Sequence, residues 1–186
     1  MIAVWDVPTR ALLKSINTGC NAIGPFFTWQ PRSNYIASGF GDNIGIWDVV
    51  SGQLINTVMF SDEHDSVYYL AWSSNGSKLI NIGNHLKIWN FKTTSLLVNI
   101  DLQQTLISAH TSALQDRIAI LGYNAQSGTQ IQIVNLDAGS IQKIYKISST
   151  TAPHDFAWNA TRDVIKFREF NFTDNSIKLN TIDEPS

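Results

Sequence analysis

Apolar and polar residues alternate in short runs along most of the chain, and no long stretch repeats apolar residues at helical spacing. Runs of four to eight residues rich in Ile, Val, Leu, Trp and Thr are bounded by Gly, Asn, Asp and Ser, which predicts strands joined by tight turns. The clearest group predicts strands over residues 23–30, 35–40, 44–48 and 53–59. Between them fall the turns Pro31-Arg-Ser-Asn34, Gly41-Asp42-Asn43 and Ser51-Gly52, whose Gly and Asn residues accept the positive φ that a hairpin reversal needs.

The same order of elements returns. Strands are predicted over 67–73, 78–82, 86–90 and 96–100, then over 106–109, 117–121, 130–136 and 141–147. A last partial group starts at Phe156-Ala-Trp158 and continues through 164–170 and 177–182. A first partial group has only two strands, 1–6 and 11–16. One dipeptide marks the period. Trp5-Asp6 recurs 42 residues later as Trp47-Asp48, and 42 later again as Trp89-Asn90. The phase continues to Val134-Asn135 and then to Leu179-Asn180. A second marker, Trp29, recurs as Trp72, with His110 and Trp158 in the corresponding later places. Two markers in separate phases identify one structural unit copied several times. The copies cover residues 1–16 (partial), 22–60, 64–100, 105–147 and 153–182 (partial), within one domain of 186 residues.

Composition narrows the classes. An apolar fraction of 44% is enough for a core, and a charged fraction of 15% is low, so surface polarity comes from Asn, Ser, Thr and Gln. The net charge of −2 gives no basic footprint for nucleic acid or an anionic membrane. A single cysteine, Cys20, excludes an intrachain disulfide and a multi-cysteine metal site. The chain opens MIAVWD, without a basic segment and apolar stretch like those of a signal peptide, and no window has ~18 consecutive apolar residues. The expected location is therefore cytoplasmic. The sequons at Asn75, Asn159 and Asn171 then read as unmodified turn residues.

Residues 71–80 (Ala-Trp-Ser-Ser-Asn-Gly-Ser-Lys-Leu-Ile) followed by Ile88-Trp89-Asn90 resemble the WD-repeat β-propeller family, as do Phe27-Thr-Trp-Gln-Pro31, Tyr35-Ile-Ala-Ser-Gly39, Asp42 and Ile46-Trp-Asp-Val49. The resemblance covers essentially the whole chain and is strongest over residues 22–100. It implies all-β, four-stranded antiparallel blades stacked around a central channel. It also implies that Trp5, Asp6, Trp29, Trp47, Asp48, Trp72, Trp89 and Trp158 are structural repeat residues. A family hydrogen-bond network would join a His before the first strand to a Ser or Thr, a turn Asp and the third-strand Trp. His64 fits the His position, and Ser38, Asp42 and Trp47 fit the others in a copy that lacks the His. The copy with His64 and Trp89 has Asn84 in place of the Asp. About four copies of this size fall short of the seven or so common in closed propellers. The expected form is an open arc; in the alternative, the two N-terminal strands complete the last blade of a small ring.

No residue pattern announces chemistry. The four histidines, His64, His85, His110 and His154, form no i, i+4 pair and fit no metal motif. There is no G-x-S-x-G, Cys20 has no basic neighbours, and Gly39-Phe-Gly41-Asp42 opens no helix. The carboxylates Asp62, Glu63 and Asp65 read as a solvated loop. No catalytic, cofactor or metal site is expected. What remains is a surface of loops on a rigid platform, with Phe60, His64, Tyr123 and Phe172 as the expected protein-contact residues. The expected function is a non-enzymatic scaffold that binds a protein or peptide. Self-association through uncovered terminal blade faces is a further expectation. The alternatives are a regulatory repeat tract of a larger signalling protein, or a propeller using its channel mouth for a small ligand or an enzymatic reaction.

Overall fold

The computed structural model describes residues 1–18, 23–40, 43–60, 66–147, 151–159, 161–162, 164–171, 173–174 and 176–183. Among these, every regular element is a strand. The chain divides into two compact units, Met1–Val98 and Asn99–Ser186.

The first unit contains three sheets. β1 (Ile2–Trp5) and β2 (Leu12–Ile16) form an antiparallel pair. β3 (Ile23–Trp29), β4 (Tyr35–Phe40), β5 (Asn43–Asp48) and β6 (Leu54–Met59) form a four-stranded sheet in chain order. β7 (Tyr69–Trp72), β8 (Lys78–Ile82), β9 (Leu86–Asn90) and β10 (Leu96–Ile100) form another, and the unit boundary falls within β10. The middle strands are buried along their length because both faces carry apolar side chains, while β6 and β10 at the edges are largely exposed.

Alternation sends the two faces of the β3–β6 sheet into different cores. Ile36 and Trp47 meet Ile16, Ile2 and Val49 beneath β1–β2. Ala37, Ile44, Ile46 and Val58 meet Leu70, Trp72, Leu79 and Trp89 of the β7–β10 sheet. Each large apolar side chain so buried contributes about 1.5–3 kcal/mol. Polar contacts fix how these two sheets stack. The Trp72 indole N–H donates to the Thr28 carbonyl at 3.3 Å, Gln30 Nε2 to the Gly76 carbonyl at 2.6 Å, and Asn56 Nδ2 to the Phe91 carbonyl at 3.2 Å. Phe91 also meets the Trp72 ring edge-on, with centroids 5.4 Å apart.

In the second unit, β11 (Thr105–Thr111), β12 (Arg117–Asn124), β13 (Gly128–Asn135) and β14 (Ser140–Lys146) form a four-stranded sheet. β15 (Thr151–Trp158), β16 (Val164–Asn171) and β17 (Ser176–Asp183) form a three-stranded one. Ala119, Leu121, Ile131 and Ile133 pack on Phe156, Ile165 and Phe167 between them. The terminal sheet stops at β17, which is bonded to β16 alone, and β1–β2 is a separate pair.

Strand register defines equivalent positions across the sheets. The first residue of each second strand lies opposite the last of the third: Tyr35 with Asp48, Lys78 with Asn90, Arg117 with Asn135 and Val164 with Asp183. This corrects two sequence expectations. The last member of the Trp-Asp series is Ile182-Asp183, three residues beyond Leu179-Asn180, because the β16–β17 hairpin has eight-residue strands. Thr111, opposite Ile118, takes the place of Trp29, Trp72 and Trp158, opposite Ile36, Leu79 and Ile165. His110 is one residue early and points to the other face, where its ring meets Phe156 edge-on with centroids 4.9 Å apart.

Candidate functional site

The repeat residues divide into packed and bare. Trp47 and Trp89 are 2% and 5% exposed, whereas Trp5, in the same position of the first pair, is 57% exposed. Alternation turns Ile2 and Val4 toward the core and Trp5 away from it, where the first unit has no further sheet among the described residues. The Trp89 indole N–H donates to Asn81 Oδ1 at 2.7 Å inside the core. Asn81 stands at the position of Ser38, each two residues after the side chain opposite the tryptophan. It is the residue that sequence reasoning missed. Asn84, which stands in place of the family's turn Asp, is exposed. Ser38 Oγ donates to the Gly39 carbonyl at 3.3 Å. Asp42 lies outside the described residues.

The second member of the dipeptide has a clear local role. The Asp48 carboxylate accepts the backbone N–H of Val50 at 2.8 Å and of Ser51 at 3.4 Å. Asn90 Oδ1 accepts those of Lys92 and Thr93, Asn135 Oδ1 those of Asp137 and Ala138, and Asp6 Oδ1 that of Thr9. A short side chain with an acceptor three bonds from Cα satisfies N–H groups that the turn would otherwise leave free. Four residues after each dipeptide's second member, the backbone enters positive φ: Arg10, Gly52, Thr94 and Gly139. One turn thus closes four sheets. The Thr9 hydroxyl and then its N–H on Asp6 hold that carboxyl below its ordinary value, and Ser176 acts likewise on Asp174.

The four expected contact residues fare differently. Phe60 is half-buried against the first unit's core, with its ring 6.0 Å from Trp89 and Lys87 Nζ 5.7 Å over it. Tyr123 is 51% exposed, but it is a strand residue opposite Thr105 and Thr129. β12 and β13 extend into what the sequence read as a long turn, leaving only residues 125–127 to reverse the chain. His64 and Phe172 lie outside the described residues. The second unit has a cleft of about 550 Å³ whose lining mixes polar residues such as Asp101, Gln103 and Lys146 with the apolar Leu102, Ile141 and Ile144. Asn124 Nδ2 donates to the Gln103 carbonyl and Asn124 Oδ1 accepts two turn N–H groups, whereas Oε1 of Gln132, also in the lining, accepts no hydrogen bond among the described residues.

Among the described residues, no three His, Cys, Asp or Glu side chains gather where they could hold a metal ion. No helix among them is long and apolar enough to cross a membrane. No protein-family model matches the chain, and no curated protein matches it.

Proposed function

We propose that the chain is a segment of a WD-repeat β-propeller, an open arc of blades inside the cell, that works as a non-enzymatic scaffold for a protein or peptide partner. The supporting observation is the Asp- or Asn-closed turn repeated in register after the third-strand position of four successive sheets. It gives a physical reason for the Trp-Asp period on which the family resemblance rests. Rigid sheets hold variable turns and edge residues in place, which is what loop-borne recognition needs. Tyr123 is the best-placed contact residue, being a large, exposed aromatic held on a rigid strand. Phe60 is a poor probe of such contacts, because its ring packs against the core.

Photo-crosslinking in cells from a benzoylphenylalanine at position 123, with position 10 as the control, tests this reading. A discrete protein adduct specific to position 123 supports it. Adducts identical from both positions overturn the assignment of this face.

A further inference from the structure

Asn75-Gly76 is the only Asn-Gly pair in the chain, and it lies in the turn between β7 and β8. This pair carries its own chemistry. The backbone nitrogen that follows an asparagine is held close to the side-chain carboxamide carbon, so attack is intramolecular. Glycine in second place leaves that nitrogen without a Cβ beside it. The other asparagines are all followed by a residue with a side chain. Asn75 is exposed, and a cavity of about 400 Å³ lined by Gln30, Asn75, Gly76, Ser77, Asn90 and Phe91, among others, opens over the turn. Water therefore reaches the carboxamide.

The folded turn holds both reacting groups back. The Gly76 N–H donates to the Ser73 carbonyl at 2.9 Å, which opposes loss of its proton. Asn75 Oδ1 accepts from Ser73 Oγ at 2.9 Å, from the Ser77 N–H at 2.9 Å and from Ser77 Oγ at 2.7 Å, which fixes the carboxamide. The peptide unit after Gly76 is gripped on both sides, its N–H by Asn75 and its carbonyl by Gln30 Nε2 at 2.6 Å. Gln30 follows β3 in the neighbouring sheet and is itself buried. The fit is close, since a Cβ added to Gly76 would stand 3.0 Å from Gln30 Cγ. The turn is thus closed from across the joint between the two four-stranded sheets of the first unit.

We infer that Asn75 is a latent self-modification site, deamidated when the joint opens and protected while it is closed. In the open turn, Gly76 N loses its proton to solvent base and attacks Asn75 Cγ. The N–Cγ bond forms, the Cγ–Nδ2 bond breaks, and Nδ2 leaves as ammonia, giving a cyclic succinimide. Water then opens the ring at either carbonyl, leaving aspartate or isoaspartate. The balance is water in and ammonia out, with no change of oxidation state. Isoaspartate routes the main chain through the side-chain carbon, so the Gly76 carbonyl no longer meets Gln30. The modification therefore loosens the stacking that had prevented it, and the step is one-way.

The full chain is incubated at mildly alkaline pH, folded or in urea. The chymotryptic peptide covering residues 73–79 is followed by mass spectrometry, with isoaspartate distinguished by electron-transfer fragmentation. The folded chain should react about tenfold or more slowly than the chain in urea. Gln30→Ala, checked by far-UV circular dichroism, should raise the folded rate about three- to tenfold and leave the rate in urea unchanged. Should that variant not fold, Gln30→Met keeps the shape and removes the donor. The deamidated form, separated by its added negative charge on ion exchange, should melt below the parent. The inference is overturned by equal rates folded and in urea, by folded Gln30 variants as slow as the wild type, by no reaction at Asn75 even in urea, or by an unchanged melting temperature of the deamidated form.

Discussion

Trp89 packs in the core and donates its indole N–H to Asn81 Oδ1, which has no solvent to fall back on. Replacing it by Phe opens space and strands a buried acceptor, so Trp89→Phe should cost about 2–4 kcal/mol. Trp5→Phe, at the equivalent but exposed position, should stay within about 0.5 kcal/mol. Urea denaturation of both variants checks the contrast, and equal losses would refute the assigned packing. Asp6 carries a pH dependence of known sign. Its carboxyl is held below the ordinary value of 3.8, first by the Thr9 hydroxyl. The charged form is the one the fold favours, so the stabilisation is complete well above 3.8 and is lost as pH falls through the lower folded value. An NMR titration should place the Asp6 midpoint below 3.8, and Thr9→Ala should return it toward that value.

The turn after the third strand concentrates the backbone strain of these sheets. Gly52 and Gly139 occupy its positive-φ position at little cost, but Thr94 holds the same position at φ 54°. A β-branched residue there is a strained choice. Thr94→Gly should therefore stabilise by about 0.5–1 kcal/mol, seen as a higher melting temperature. Gly52→Ala should destabilise, because an alanine would have to hold φ 77°, in the left-handed region. Strands and most turns were legible in the sequence, because alternation and Asp/Asn/Gly placement act over a few residues. The phase of the degenerate copies was not. Where Trp marks the position, the sequence reads Trp47 and Trp89 correctly. Where it is lost, the position depends on how far a hairpin extends, and β12–β13 and β16–β17 each run to eight residues per strand. The same extension moved Tyr123 from a turn into a strand and displaced the series from Leu179-Asn180 to Ile182-Asp183.

Across the whole chain, the decisive quantity is which faces and edges find cover, and a repeat period does not contain it. The period predicts that Trp5, Trp47 and Trp89 are alike. Their exposures of 57%, 2% and 5% differ because a packing face needs a neighbouring sheet. The same reasoning applies to β17. It is the third strand of a sheet that stops at three, with Ile177 and Leu179 exposed on the face opposite the one that sends Ile182 into the core. In the complete sheets the equivalent strands β5 and β13 are paired on both sides. An open edge flanked by exposed apolar side chains favours pairing between molecules; natural edges avoid this with lysines, of which β17 carries one, Lys178. The chain should therefore self-associate as its concentration rises, through β17. Ile177→Lys combined with Leu179→Lys should abolish the association without lowering the melting temperature, because neither side chain is buried. Size-exclusion chromatography with light scattering over a hundredfold concentration range checks this. A wild-type chain that stays monomeric throughout, or a double variant that associates equally, would show that the β17 edge is already protected.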